Sequence, residues 1–347
     1  MSRVIGRVYD DSTREGRTMG LEQATDWLGE LVGRKPISRK SFLKLGVASA
    51  LASAVSWPLT KIAEAAADES TGRVARGAEA AYDLVVAESA DSYANTVKVV
   101  EAMGGMKTFV RKNDTVVVKP NMAWDRTPEQ AANTDPQVVA ALVQMSYDAG
   151  AKKVKVFDVP CNEERRVHES SGIRKAAEAK GANVFYVDLW NIVKAKFANP
   201  SSMEGWPILR DAVSADVFIN APVLKHHALT GLTLSMKNLM GICAGKRGQI
   251  HWDIGPKLAD LTSFIKPDLT VIDATRVLMR HGPSGGDVAD VKTFNKVFAS
   301  TDPVLADTYA CRLMEKDPLS VPYLKAARER GMGRWDLEAA RIHVVGS

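Results

Sequence analysis

The stretch DTVVVKPN, residues 114–121, is an apolar run that ends abruptly in a lysine, a proline and an asparagine. Continuous valines are typical of a strand that is buried on both faces of a parallel sheet. Similar apolar runs recur along the chain in KKVKVFDVP (152–160), ADVFINAPVLKHH (215–227) and PDLTVIDAT (267–275). These runs predict neighbouring strands of one sheet.

Helical patterns separate these strands. TDPQVVAALVQMSYDAGA (134–151) places a capping residue before proline at its start and a glycine near its end, and SGIRKAAEAKGA (171–182) is a second helix. KVFASTDPVLADTYACRLM (296–314) is typical of a strand followed by a helix. Alternation at this spacing indicates right-handed crossovers. We therefore predict one α/β domain over residues 82–347, with a mostly parallel sheet and helices on both faces in Rossmann-like layering.

The composition of the sequence and the motifs that it lacks argue against several classes of function. A net charge of +5 over 347 residues, without a Lys/Arg run, argues against a nucleic-acid partner. Three cysteines without a C-x-x-C unit, Cys161, Cys243 and Cys311, argue against an intrinsic iron–sulfur cluster. The dinucleotide fingerprint, the P-loop, the nucleophile elbow and the His-Glu-x-x-His motif do not occur. The cofactor therefore stays open, with a metal ion or an organic anion as candidates.

The N-terminal region resembles a twin-arginine export signal. SRKSFLK (38–44) precedes the apolar stretch LGVASALASAVSWPL (45–59), and small residues then predict cleavage after Ala67. Lys40 stands where the second arginine is expected. We expect export to the periplasm, or anchoring to the membrane facing it. The alternative is a cytoplasmic protein in which this segment is a docking or buried helix.

The roles of the other N-terminal segments are inferred from where they lie relative to the expected signal. Residues 1–37 would form a lead of unknown role before a signal or anchor at 38–67. Residues 68–81 would then link that signal to the domain.

Polar residues at the strand ends are the candidate site, because ligands of open parallel sheets bind beyond the carboxyl ends of the strands. Those residues are Lys119, Asn121, Asp158, Lys225, His226, His227 and Asp273. A buried lysine loses its hydration, so a strand-end lysine requires an anion or open solvent. The segment LTLSMKNLMG (232–241) adds donors at Lys237 and Asn238 and a close-approach glycine at Gly241, which suits an oxyanion. The alternative is that each lysine is simply solvated.

The histidines allow several interpretations. Adjacent side chains of a strand point to opposite faces, so only one of His226 and His227 would face a pocket. His227 or His251 would transfer protons, and Asp273 would orient a histidine or bind a metal. A metal site built from one of the adjacent histidines with His251, Cys243 or Asp273 is an alternative.

The motifs VVVKPN, INAPVLKHH, SMKNLMG, GQIHW and VIDA…HGPSGG occur in this order between residues 82 and 312. Together they resemble the domain-of-unknown-function 362 family. The resemblance implies that His227 is the histidine of the third-strand motif, while His226 occupies a position that Thr or Ser often takes. It implies no reaction. Many members of that family carry or lie beside ferredoxin-like modules, and no such module occurs in this sequence.

Two functions follow as hypotheses. The first is an enzyme, or a component of a redox-linked enzyme, that acts on a small anionic substrate or cofactor at the carboxyl edge of the sheet. The second is a non-catalytic accessory subunit of an iron–sulfur or membrane redox complex, with a ferredoxin-like or membrane partner.

Overall fold

A computed structural model describes residues 68–188, 190–199 and 201–346. The expected lead at 1–37 and the expected signal at 38–67, with its cleavage point, lie outside these residues. In the described part of the chain, no helix combines the length and the apolar character needed to cross a bilayer.

The described residues form strands and helices that alternate along most of the chain. The strands are β1 Glu69–Ser70, β2 Leu84–Glu88, β3 Thr115–Pro120, β4 Lys153–Val156, β5 Asn183–Val184, β6 Ile192–Ala195, β7 Pro207–Leu209, β8 Val217–Ala221, β9 Val223–His227, β10 Gly231–Thr233, β11 Leu269–Leu278, β12 Val291–Ser300 and β13 Ile342–Val345. The helices are α1 Ser92–Ala102, α2 Pro136–Asp148, α3 Glu164–Ser170, α4 Ile173–Glu178, α5 Arg210–Val213, α6 Ser235–Asn238, α7 Ile254–Ile265, α8 Pro303–Leu313 and α9 Pro322–Glu329.

The main sheet is mixed, which corrects the prediction of a mostly parallel sheet. Its order is β13-β2-β12-β11-β8-β3-β4-β5, with β9 beside β11 and β10 beside β9. β8, β3, β4 and β5 run parallel, as predicted. β12 runs antiparallel to both of its neighbours, β11 and β2. The reason is the connection from β11 to β12, residues 279–290, which contains no α-helix and so returns the chain as a hairpin rather than a crossover.

Two apolar cores lie on opposite faces of the sheet, so helices cover both faces as predicted. Alternate strand residues divide between them: Val116 and Val118 pack into one core, and Val117 packs into the other. The first core contains residues of α1 and α2, and the second contains residues of α7, α8 and α9. Burial on both faces explains the continuous valine run.

The stretch 215–227, which we predicted as one strand, is divided at Pro222 into β8 and β9. Proline has no N–H with which to continue a ladder. Its carbonyl oxygen instead accepts a hydrogen bond from Asp273 N at 2.9 Å. Beyond the break, β9 forms a hairpin with β10, in which His227 pairs with Gly231. The chain thereby turns back across the carboxyl edge of the sheet.

Residues 68–81, which we expected to link a signal to the domain, pack against the domain. β1 pairs in parallel with β6. The guanidinium of Arg73 is buried, forms an ion pair with Asp268 at 2.7 Å and donates to the carbonyl oxygens of Ala215 and Ile265. These contacts tie the segment to the loops before β8 and β11.

Candidate functional site

A cavity of about 480 Å³ lies beyond the carboxyl ends of β3, β4 and β9. We call it the strand-end cavity. Residues that line it and carry chemistry predicted from the sequence are Asn121, Asp158, Lys225, His227, Lys237, Asn238, Gly241 and His251. The structure therefore brings together side chains that are spread over 131 positions of the chain, from 121 to 251.

Lys119 lies behind the cavity rather than in its lining. Its side chain is fully buried, and Nζ forms an ion pair with Asp158 Oδ1 at 2.8 Å. Nζ also donates to the carbonyl oxygen of Pro120 at 2.6 Å. Burial lowers the pKa of Lys119, and the Asp158 carboxylate opposes that shift. The charge of Lys119 is therefore already balanced inside the protein.

Gly241 is where the backbone comes closest to this ion pair. A Cβ atom at this position would overlap Asp158 Oδ1 and would come within 2.5 Å of Lys119 Nζ. Its carbonyl oxygen also accepts a hydrogen bond from Val159 N at 2.9 Å. The glycine is required by the packing of the pair, and not by an unusual backbone angle.

Asn238 joins the strand ends through both ends of its amide. Nδ2 donates to Lys119 O at 3.2 Å and to Asn220 Oδ1 at 2.9 Å. Oδ1 accepts from Asn121 Nδ2 at 3.1 Å and from Lys119 Nζ at 3.3 Å. A buried amide with this many partners fixes the position of helix α6 against β3 and β8.

Lys225 is the buried lysine that does line the cavity. Its Nζ donates to Asn121 Oδ1 at 3.1 Å and to the carbonyl oxygen of Ala132, and it lies 6.0 Å from the centroid of the Trp124 ring. Burial, together with the charge of Lys237, lowers the pKa of Lys225 to about 7. No carboxylate of the described residues forms an ion pair with it.

Lys237 projects from α6 into the same cavity. It is half-buried, and the contact of its Nζ within the described chain is with Met240 Sδ at 3.7 Å. Desolvation lowers its pKa to about 8. A thioether is a weak acceptor, so the ammonium group lacks a strong partner.

His227 is held as a neutral hydrogen-bond donor. Its Nδ1 accepts from Leu229 N at 3.1 Å, so in the neutral ring the proton is on Nε2. Burial and the charges of Lys237 and Lys225 lower its pKa to about 2. Such a ring is suited to donation from Nε2–H to an oxygen, and the predicted role in proton transfer stays a prediction.

His251 has the complementary arrangement. Its Nδ1 lies 3.3 Å from the carbonyl oxygen of Gly248, which only accepts, so Nδ1 carries a proton. Nε2 then has a free lone pair in the neutral ring. The centroids of the His251 and His227 rings are 6.2 Å apart. The two rings thus offer one donor and one acceptor to the same cavity.

Comparison with known proteins agrees with the sequence motifs. The family described as domain of unknown function (DUF362) matches residues 116–312, which is more than half of the chain. The chain belongs to the DUF362 family. All of the cavity side chains described above lie within the matched residues.

The chain is also similar to individual proteins. A thylakoid-associated protein of Synechocystis sp. is 28% identical over 255 residues, which cover 71% of this chain and 77% of that protein. The structure of the lactate racemase apoprotein from Thermoanaerobacterium thermosaccharolyticum superposes with a TM-score of 0.44 at 12% identity. That superposition covers 66% of this chain and 56% of the other. A TM-score of this size does not establish a shared fold.

Besides Lys119, two predicted residues of this DUF362 protein, Asp273 and His226, lie away from the cavity lining. Asp273 accepts from Asp135 N at 2.7 Å and from Thr275 Oγ1 at 2.7 Å, and so holds the start of α2. Burial and the nearby Asp135 charge raise its pKa to about 6. His226 points to the other face of β9, where Nδ1 accepts from Gly282 N at 3.1 Å. The expectation that only one of the adjacent histidines faces the pocket agrees with this geometry.

The alternative metal site is not assembled in the described part of the chain. No three of its His, Cys, Asp and Glu side chains lie close enough together to hold a metal ion. Cys243 is buried, and burial raises the pKa of its thiol to about 12.

Trp124, Cys161 and Thr233 also line the cavity and were not singled out as site residues from the sequence, and Arg247 lines it as a further cation. Trp124 and Cys161 each follow a strand-end residue, Asn121 and Asp158, by three positions, and this proximity was the available signal. The guanidinium of Arg247 donates to the carbonyl oxygens of Val159 and Pro160 at 2.6 and 2.8 Å. It thereby holds the loop that follows β4.

Proposed function

We propose that this protein is an enzyme that binds a small organic anion in the strand-end cavity and transfers protons to and from it. The observation that supports this most directly is an excess of positive charge. Lys225, Lys237 and Arg247 line the cavity, and Asp158, its one carboxylate among the described residues, is already paired with Lys119. An anion of the ligand would supply the missing counter-charge.

A second, independent feature supports a bound ligand. Thr233 also lines the cavity and is buried, and its Oγ1 has no hydrogen-bond partner in the described chain. Buried hydroxyl groups are normally satisfied, because an unpaired one costs about 1–3 kcal/mol. An oxygen of the ligand would satisfy this hydroxyl.

The two imidazoles support catalysis rather than binding alone. Nε2–H of His227 would donate to an oxygen on which negative charge develops, and Nε2 of His251 would accept a proton. Because a neutral imidazole N–H is a very weak acid, His227 would stabilise the charge on that oxygen by hydrogen bonding and would keep its own proton. Lys237 would hold the anionic group, because its ammonium has no strong partner within the described residues.

Calorimetric titration with sulfate and with acetate tests the binding. We expect wild-type protein to bind at least one of them, and Lys237→Met to weaken binding by about tenfold or more, because charge-assisted hydrogen bonds contribute about 1.5–3 kcal/mol. Lys112→Met is the matched control, since Lys112 is exposed before β3, at the opposite edge of the sheet. Equal affinities in the wild type and Lys237→Met would contradict the proposal.

Mass spectrometry of small molecules released by denaturation identifies a ligand that survives purification. His251→Gln should then retain that molecule but lose its turnover. Turnover at the wild-type rate would contradict the role of His251.

A further inference from the structure

Lys225 differs from the other lysines of the site because its side chain is fully buried without a charged partner among the described residues. Lys119 has a carboxylate partner at 2.8 Å, and Lys237 is half-buried. Lys225 is 1% exposed, and its hydrogen-bond partners among the described residues are the neutral oxygens of Asn121 and Ala132. The structure therefore buries this amine without compensating its charge.

The surroundings of Lys225 favour the neutral amine. A buried ammonium that faces other cations is costly, and the amine form removes that cost. A lysine that is desolvated or placed next to another cationic group is a nucleophile near neutral pH. Its pKa of about 7 agrees with this geometry.

We infer that Lys225 is a nucleophile that forms an imine with the carbonyl group of a small 2-oxo acid. This inference rests on the proposed function, since the carboxylate of the oxo acid is the small anion and Lys237 would hold it. Trp124 forms one side of the amine's surroundings, with its ring centroid 6.0 Å from Nζ. A cavity of about 480 Å³ has ample room for a three-carbon acid.

The step balances within the site. The lone pair of Nζ attacks the carbonyl carbon, and a C–N bond forms. The two amine protons pass to the former carbonyl oxygen, which leaves as water, and a C=N bond remains. Nε2–H of His227 would donate to the carbonyl oxygen during the attack. Protonation of the imine nitrogen by solvent makes protons on the neighbouring carbon more acidic, and Nε2 of His251 would accept one of them.

Borohydride trapping with pyruvate tests the inference. The full chain is incubated with pyruvate and sodium borohydride, which reduces an imine to a stable secondary amine. Peptide mass spectrometry then locates the adduct. We expect the adduct at Lys225 and its loss in Lys225→Arg, while Lys112→Arg labels as the wild type does. In deuterium oxide, the wild type should also exchange the methyl protons of pyruvate at least tenfold faster than Lys225→Arg.

The outcomes separate the inference from the proposed function. If sulfate or acetate binds in a Lys237-dependent manner but neither pyruvate nor glyoxylate, the smallest 2-oxo acid, is trapped at Lys225, the imine chemistry is wrong and anion binding stands. If none of these anions binds, the proposed function itself fails. Labelling spread over exposed lysines, with no preference for Lys225, would also overturn the inference.

Discussion

Asp158 Oδ1 lies 2.8 Å from Lys119 Nζ, and both side chains are buried, Asp158 in the wall of the strand-end cavity and Lys119 behind it. Asp158 Oδ2 also accepts from Met122 N at 2.7 Å. The pair connects the end of β3 to the loop after β4. Because Asp158 is paired with Lys119, the cations that line the cavity have no carboxylate partner among the described residues. The site therefore keeps an excess of positive charge.

Asp158→Asn should strongly destabilise the protein, because it leaves the Lys119 ammonium buried without a counter-charge. Removing one partner of a buried pair costs about 3–5 kcal/mol. Glu178→Gln is the control: it removes the Arg174–Glu178 pair of α4, at 2.9 Å on the surface, which should cost less than about 1 kcal/mol. Urea unfolding measures both. Similar costs for the two variants would show that the buried pair is not the stronger interaction.

Gly241→Ala should disrupt the same ion pair sterically. The added methyl group would overlap Asp158 Oδ1, and overpacking of this kind costs about 1–3 kcal/mol or more. Gly248→Ala is a matched control in the same cavity lining, because a Cβ there meets nothing within 4 Å. Thermal unfolding should show a large decrease in Tm for Gly241→Ala and little change for Gly248→Ala. A stable Gly241→Ala variant would contradict the packing described here.

Anion affinity should fall as pH rises from 6 to 9. The pKa values of Lys225 and Lys237 are about 7 and about 8, so both are mainly cationic below this window and mainly neutral above it. For each lysine that must be protonated for the anion to bind, the affinity falls by about tenfold per pH unit above the pKa of that lysine. Sulfate is the suitable probe, because its own charge is constant over this range. Calorimetry should show a flatter profile for Lys237→Met, and a pH-independent wild type would refute the prediction.

Asp307 should make the protein less stable as pH rises. This buried carboxyl group of α8 accepts from Ser235 N at 2.8 Å and Met236 N at 3.1 Å, and so positions the helix that carries Lys237. Burial raises its pKa from 3.8 to about 7. Between these values the folded state binds more protons than the unfolded state, so the free energy of unfolding falls with rising pH.

Asp307→Asn removes that titration but also weakens one of the two hydrogen bonds. We expect a roughly constant loss of about 1–2 kcal/mol together with a shallower decline between pH 4 and 7. Urea unfolding across this range measures both effects. Parallel stability profiles for the wild type and the variant would contradict the assignment.

Local patterns in the sequence predicted much of the fold. The valine run of β3 and the Thr-Asp-Pro starts of α2 and α8 indicated strand and helix positions, since periodicity and capping depend on neighbouring residues. The direction of β12 was not predictable in this way. It depends on which strand lies beside it, and β12 pairs with both β11 and β2, the latter some 200 positions earlier in the chain.

The sequence alone determined which residue types end the strands, and with them the expectation of an anion site at the carboxyl edge. Only the tertiary structure decided what each of these residues does. Lys119 and Lys225 look alike in sequence, each at the end of an apolar run. In the fold, Lys119 has Asp158 as its counter-charge, whereas Lys225 faces the cavity without one. The physical reason is that charge compensation depends on distances of a few ångströms between residues that are far apart along the chain.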